Sequence, residues 1–120
     1  MTSLDDLRTD CAGVGDVLSR IGDKWTVQIV VAIHRQPRRF NAIKRLVPAI
    51  SQQMLTRTLK ALERDGLVKR VVHDTTPPQV EYSLTSLGIS LSEPLRALAA
   101  WAIDHRSSIR DNRHSYDDGQ

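Results

Sequence analysis

The sequence predicts a mainly helical α+β fold of the winged helix-turn-helix class. Two short helical segments are joined by Val47-Pro48-Ala49-Ile50, and a two-strand hairpin follows them directly. Further helical segments lie on either side of this unit. Helix, turn, helix and hairpin in this order are typical of a winged helix-turn-helix domain. The basic residues of the chain are concentrated on the same segment, which is the second observation behind the prediction.

The first two helices are predicted by apolar residues that recur every three or four positions, between 14 and 21 and again between 25 and 33. This spacing is typical of amphipathic helices. It predicts a first helix over 10–20 and a second over 25–34, which Pro37 stops. The dipeptide Arg38-Arg39 is too short for more than a strand fragment.

Caps and stops mark the two helices of the helix-turn-helix unit. Asn41 is expected to cap the third helix, which Pro48 ends, and Ser51 is expected to cap the fourth. Gly66 is the stop of the fourth helix. The inward face of that helix is apolar and consists of Leu55, Leu59 and Leu62.

The hairpin is predicted by β-branched residues over 67–73, a turn at 74–78 and alternating residues over 80–84. Thr85 is expected to cap the last helix. Inside that helix Pro94 should cause a kink or a restart, with Ser92 as a second cap. The domain is expected to cover 1–107, and the polar end 108–120 is expected to be flexible.

Composition indicates one soluble globular domain. The chain has 120 residues, of which 40% are hydrophobic and 26% are charged, as in ordinary globular proteins. No apolar run approaches the roughly 20 residues that a membrane helix needs. We therefore expect a cytoplasmic protein with no membrane partner.

Charge is distributed unevenly along the chain. Residues 35–73 carry ten basic and two acidic side chains, a balance of +8, whereas the whole chain carries +3. Both flanking segments are therefore acidic overall. Concentrated cations suit a polyanion such as double-stranded DNA. A solvated basic face without a partner is the alternative.

The outward side of the fourth helix carries polar residues that can read base edges. Glutamine pairs bidentately with adenine and arginine with guanine, and hydroxyls bond to a base or a phosphate. A surface helix that is polar only because it meets water is the alternative. The residues assigned to bases are Gln52, Gln53, Thr56 and Arg57, and those assigned to phosphates are Ser51 and Lys60.

The hairpin and the basic segment supply further candidate contacts. Along the first hairpin strand Lys69 and Arg70 alternate, so one of them faces the same way as Val72. A hairpin that only covers the core explains this segment equally well. The remaining residues of the predicted DNA-binding set are Arg39, Lys44, Arg70, His73, Thr75 and Thr76.

No enzyme signature is present in the sequence. Gly13-Val14-Gly15 begins a G-x-G-x-x-G pattern, but Leu18 stands where the third glycine belongs. The four histidines are scattered without the spacing of metal ligands. We therefore predict no catalytic site, no cofactor and no metal.

Motifs from Cys11 to Trp101 resemble the HxlR-type helix-turn-helix regulators, which are MarR-related bacterial transcription factors. They stand in the order and at the spacing of that family. The matching residues are Cys11, Ile21-Gly22-Asp23-Lys24-Trp25, Arg39-Phe40, Ile50-Ser51, Met54-Leu55-Thr56, Leu59, Leu62-Glu63-Arg64-Asp65-Gly66-Leu67-Val68, Pro77-Pro78, Val80-Glu81-Tyr82 and Leu84-Thr85.

The resemblance implies a homodimer on a pseudo-palindromic operator, with the first and last helices as the dimer contact. The last helix has a suitable apolar stripe. Packing of this stripe within its own chain is the alternative, and a small ligand between the dimer helices is compatible with either. The predicted dimer contacts are Leu87, Leu91, Leu95, Leu98 and Trp101.

Cys11, the only cysteine, has two interpretations. The resemblance implies a thiol that senses oxidants or electrophiles, and a helix start favours the thiolate, although Asp10 opposes it. A buried, inert side chain is the other interpretation. The chain departs from the family pattern at Ala12, where proline is usual, and at Gln53, where a basic residue is usual.

The sequence thus predicts a DNA-binding transcription regulator, redox-responsive through Cys11 if that thiol is reactive. A winged-helix module that binds a protein or senses a small molecule without a thiol switch is the alternative. The two differ in that such a module needs no excess of cations, so its binding would not depend steeply on salt.

Overall fold

A computed structural model describes residues 11–119, with the side chains of residues 13–119. Five helices and three strands make up this part of the chain, and their order confirms the predicted mainly helical α+β, winged helix-turn-helix fold. They are α1 (Cys11–Ile21), α2 (Lys24–Ile33), β1 (Arg38–Arg39), α3 (Phe40–Leu46), α4 (Gln52–Arg64), β2 (Val68–His73), β3 (Gln79–Leu84) and α5 (Ser86–Asp118).

The wing is a three-stranded antiparallel sheet in the order β1-β3-β2. Strands β2 and β3 form the predicted hairpin, whose register runs from Val68 opposite Leu84 to His73 opposite Gln79. Strand β1, which the sequence indicated only as a fragment, pairs with β3 and places Arg38 opposite Tyr82. The sheet therefore ties the start of α3 to the wing.

One core joins α2 to the helix-turn-helix unit. α2 lies at its centre and packs against α3, α4, α5 and β3. Full burial of an aliphatic side chain contributes about 1.5–3 kcal/mol to the free energy of unfolding, so these residues account for much of the stability. The largest side chains that are almost completely buried are Ile29, Ile33, Ile43, Ile50, Leu55, Leu59 and Leu62.

Local caps fix both ends of α4 as predicted. The Ser51 hydroxyl accepts a hydrogen bond from the Met54 N–H at 3.0 Å. At the other end Gly66 has φ +77°, a conformation that costs other residues energy because of their Cβ atom. The Leu67 N–H then donates to the Leu62 carbonyl at 3.0 Å, which completes the stop.

The start of α3 differs from the prediction. Asn41 lies inside the helix, and the N-cap is Arg39, whose extended backbone makes no side-chain capping bond. Arg39 is the last residue of β1, and Phe40 packs against the core. Pairing with β3 therefore brings the chain into the helix two residues earlier than the capping preference of asparagine suggested.

α5 is a single helix from Ser86 to Asp118 with Pro94 inside it. Thr85 caps it as predicted, accepting from the Gly88 N–H at 3.1 Å. Ser92 is not a second cap, because its hydroxyl donates to the Ile89 carbonyl at 2.7 Å. The helix does not restart at Pro94, since a proline removes one backbone bond and the next turns can continue.

Residues 108–118 continue α5 where the sequence predicted a flexible polar end. No glycine or proline interrupts the chain between Pro94 and Gly119. The helix therefore lacks a stop signal until Gly119, which follows its last residue. Within the described residues no helix is both long and apolar enough to span a membrane.

Candidate nucleic-acid interface

The outward face of α4 carries the five polar residues that the sequence singled out beyond its cap. All five side chains are exposed, on the side opposite the buried Leu55, Leu59 and Leu62. They also line one open depression of the surface. The five residues, called here the α4 face, are Gln52, Gln53, Thr56, Arg57 and Lys60.

Most side chains of the α4 face are free to form further hydrogen bonds. The Thr56 hydroxyl donates to the Gln52 carbonyl at 3.0 Å, so its proton is used within the helix. Within the described part of the chain, the side chains of Gln52, Gln53, Arg57 and Lys60 make no hydrogen bond. Two amides and two cations are thus free to bind an external partner.

The predicted DNA contacts on β1 and α3, Arg39 and Lys44, are hydrogen-bonded to neighbouring groups. Arg39 is exposed, and its Nη2 donates to the side-chain oxygen of Gln79 on the wing. Lys44 is half-buried, and its Nζ donates to the Pro48 carbonyl at 3.4 Å. Arg39 is therefore placed at the junction of β1 and the wing, whereas Lys44 lies over the turn that precedes α4.

Among the residues predicted to bind DNA, the first wing strand carries a cation without a hydrogen-bond partner in the described part of the chain, Arg70, and a histidine that has one, His73. Arg70 is exposed and, two residues before Val72, shares its face of β2. The Nε2 atom of His73 lies 2.5 Å from a carboxylate oxygen of Glu81 across the hairpin. A phosphate would have to compete with that carboxylate for His73.

The tip of the wing lies in the exposed turn between β2 and β3. The Thr75 hydroxyl donates to the Pro77 carbonyl at 2.7 Å. Thr76 is exposed, and its hydroxyl makes no hydrogen bond with any residue that the structure describes. Thr76 is therefore the freer of the two threonines assigned to phosphate contact.

Sequence reasoning missed three contributors to this surface. Arg64 is exposed and follows Gln53, Arg57 and Lys60 at spacings of four, three and four, which would have revealed it as part of the same helix side. Gln79 and Glu81 are the partners of Arg39 and His73. These pairings depend on the strand register, which no local feature of the sequence indicates.

The predicted dimer stripe divides into two groups. Leu87, Leu98 and Trp101 are each more than half exposed, and Leu91 is partly buried against the core. Leu95 is 4% exposed and belongs to the core of its own chain, and its helix α5 packs against α2. Leu95 is thus not available to a partner, contrary to the prediction.

α1 adds to the exposed apolar surface. Its described part runs from Cys11 to Ile21, and the Cys11 side chain lies outside the described residues. Val17 and Leu18 are 57% and 52% exposed. α1 and α5 therefore both present apolar side chains to solvent.

A cleft of about 660 Å³ lies between α1, the end of α4 and the start of α5. Apolar side chains form much of its wall. Across it the Arg20 Nε donates to a carboxylate oxygen of Asp65 at 2.8 Å, and both side chains are partly exposed. The main lining residues are Val17, Arg20, Ile21, Arg64, Asp65, Leu67, Leu87 and Leu91.

Comparison with known proteins matches residues 20–110 to the HxlR-like helix-turn-helix family model. The HTH-type transcriptional regulator YtfH of Escherichia coli K12 is 39% identical over 101 residues, which are 82% of this chain and 80% of YtfH.

Solved structures agree in fold as well as sequence. The transcriptional regulator YtfH from Salmonella typhimurium is 37% identical with a TM-score of 0.76, and the match covers 84% of this chain and 90% of that one. The redox regulator HypR in its oxidised form is 38% identical with a TM-score of 0.72, over 78% of this chain and 96% of HypR.

Proposed function

The chain belongs to the HxlR-like helix-turn-helix family, whose members are transcriptional regulators and not enzymes, and we propose that it binds a pseudo-palindromic operator in the cytoplasm as a homodimer. The observation that carries this proposal is the α4 face. Its amides and cations have no partner in the described part of the chain, and it lies on the segment with a charge balance of +8.

In the proposed complex α4 enters the major groove with its first turn deepest, as recognition helices do. Gln52 and Gln53 then meet base edges as bidentate partners for adenine, and Arg57 meets guanine. Lys60 and Arg64, further along the helix, meet the phosphate backbone. The Ser51 hydroxyl, which already accepts the Met54 N–H, can still donate its proton to a phosphate.

The wing and β1 supply backbone contacts in the same proposal. Arg39 and Arg70 are exposed cations on either side of β3, and Thr76 lies at the tip. Such contacts fix the position of the protein on DNA without reading its sequence. Lys44, His73 and Thr75, which are already hydrogen-bonded, are expected to contribute less. The Nη2 of Arg39 also donates to Gln79, so Arg39 would meet phosphate through its remaining guanidinium donors.

The homodimer is supported by apolar surface that the monomer leaves in water. Leu87, Leu98 and Trp101 of α5 and Val17 and Leu18 of α1 are all more than half exposed. Exposed apolar patches of this kind mark interfaces. A two-fold dimer would place two α4 helices on half-sites about one helical turn of DNA apart.

Gln53→Ala and Arg57→Ala test the assignment of the α4 face. Loss of a bidentate base contact costs about 1–3 kcal/mol of discrimination, so we expect roughly a tenfold or greater loss of operator affinity. Fluorescence anisotropy with a duplex selected by the wild-type protein measures it.

Arg106→Ala is the matched control for Arg57→Ala, because it removes one exposed arginine from α5, away from the α4 face. It should leave operator affinity within about twofold. Equal affinities for the wild type, Gln53→Ala and Arg57→Ala would show that another surface reads the DNA.

We further propose that oxidation of Cys11 lowers operator affinity. The similarity to the redox regulator HypR and the single cysteine of the chain, Cys11, support it. Two Cys11 thiols, one per protomer, would lose two protons and two electrons to an oxidant such as diamide and form one disulfide between subunits.

The test is an electrophoretic shift with reduced and diamide-treated protein, alongside Cys11→Ser. Diamide should abolish specific binding by the wild type and leave Cys11→Ser unchanged, and reductant should restore binding. Wild-type binding that survives diamide would refute the thiol switch and leave DNA binding standing.

A small-molecule effector is the second candidate for regulation. The cleft between α1, α4 and α5, at about 660 Å³, has the size and the mostly apolar lining of ligand sites. It touches both the proposed dimer helices and the end of α4. Regulation through this cleft would need no thiol and would persist in Cys11→Ser.

A further inference from the structure

We propose that Arg20 is a positioning residue for DNA binding, which acts through Asp65 by holding α1 against the end of the recognition helix. The inference rests on the proposed function. Its basis is the ion pair in the cleft, where the Arg20 Nε and a carboxylate oxygen of Asp65 are 2.8 Å apart. The two residues are 45 positions apart in the chain.

Asp65 is rigidly attached to α4. It is the C-cap residue, and its backbone N–H donates to the Ala61 carbonyl at 3.0 Å. Gly66 and the buried Leu67 close the helix immediately afterwards. A displacement of the Asp65 carboxylate would therefore also move the backbone at the end of the recognition helix.

Within the described residues α1 has few other contacts with the helix-turn-helix unit. Most of its described side chains are exposed, and among them Ile21, at its end, is the one that packs against the core. Among the described residues the Arg20–Asp65 pair is the one ion pair that joins α1 to α4. Without it α1 would be free to tilt about its end at Ile21.

α5 reaches the same end of α4 by a second route. The Thr85 hydroxyl donates to the Gly66 carbonyl at 2.5 Å, and the Thr85 N–H donates to the Leu67 carbonyl at 3.1 Å. The two helices that carry most of the exposed large apolar side chains thus meet at the C-terminus of the recognition helix. Their angle to α4 would set the distance between the two α4 helices of a dimer.

This geometry predicts an effect on paired half-sites in particular. A protomer that binds one half-site needs only its own α4 face, whereas a dimer on two half-sites also needs the correct spacing. An exposed ion pair contributes at most about fivefold to an equilibrium constant. Loss of the pair in both protomers should therefore weaken two-site binding by up to about 25-fold.

The experiment compares two duplexes, one selected from a random library by the wild-type homodimer and one that retains a single half-site. Fluorescence anisotropy gives the affinities of Arg20→Gln, Asp65→Asn and the double variant. We expect each single variant to lose affinity for the two-site duplex, the double variant to lose no more, and the half-site duplex to be bound as before.

Asp65→Asn separates positioning from overall charge. It makes the protein more positive, which by itself would strengthen binding to DNA, so weaker binding identifies the loss of the pair. The exchanged variant Arg20→Asp with Asp65→Arg should recover most of the affinity. Arg106→Gln, which removes a remote arginine, should behave as the wild type, and thermal unfolding should stay within about 4 °C for every variant.

Wild-type affinity in both single variants would overturn the proposal, as would losses that multiply in the double variant or that are equal on the half-site duplex. A wild-type protein that selects no duplex at all would instead refute the proposed function on which the proposal rests.

Discussion

Gly88 shows how closely the elements approach at the end of the recognition helix. A Cβ atom at this position would lie 2.1 Å from the Leu67 carbonyl oxygen and 3.1 Å from a Leu84 methyl carbon. A backbone carbonyl cannot move aside as a flexible side chain can. The contact between α5 and the chain that follows α4 therefore requires glycine.

Gly88→Ala should lower the free energy of unfolding by about 3 kcal/mol, in the range of overpacked cores. Urea denaturation followed by circular dichroism measures this change. Gly15→Ala is the matched control, because a Cβ there would meet no atom within 4 Å and Gly15 lies inside α1. Alanine at that position should be neutral or stabilise by up to about 1 kcal/mol. Equal midpoints for Gly88→Ala and the wild type would contradict the close approach.

At the scale of single residues, the sequence predicted which side chains are exposed better than it predicted which of them form hydrogen bonds or ion pairs. Leu55, Leu59 and Leu62 define the buried side of α4 by their spacing, so the exposure of Gln53 and Arg57 followed directly. The contact between His73 and Glu81 could not be predicted from the sequence, because it depends on which strand residues stand opposite each other. The Arg20–Asp65 pair is likewise determined by tertiary packing.

At the scale of elements, local signals succeeded where the structure is determined locally. Ser51, Gly66 and Thr85 mark helix ends through bonds or backbone angles within a few residues, and all three predictions are confirmed. Asn41 failed as a cap because pairing between β1 and β3, more than forty residues apart in the chain, determines where α3 begins.

α5 also shows the limit of local signals, because they predicted interruptions that the structure does not have. Pro94 and the polar residues beyond 107 suggested a break and an end, yet one helix runs through both. Leu95 was included in the dimer contact that the family resemblance implied, because it belongs to the apolar stripe with Leu91 and Leu98. Helical spacing shows which residues share a side, but it does not show whether that side meets its own core or a partner.

For the whole molecule, the position of charge is more informative than its total. The net charge of +3 is small, but residues 35–73, which contain β1, α3, α4 and β2, carry a balance of +8. The acidic excess lies before and after this segment. A surface with concentrated cations attracts DNA and speeds association, whereas most of the exposed large apolar side chains lie on α1 and α5.

The salt dependence of DNA binding tests the central claim most directly. Anisotropy titrations of the selected duplex and of a mixed-sequence duplex, at a series of salt concentrations, give both the slope and the specificity ratio. Each phosphate contact contributes about −0.9 to the slope of log K against log salt. We predict a loss on the order of a thousandfold between about 50 and 200 mM salt, with the selected duplex bound at least about a thousandfold more tightly than the mixed one. Binding that is independent of salt, or equal for the two duplexes, would contradict an operator-binding regulator and favour a module that recognises another kind of partner.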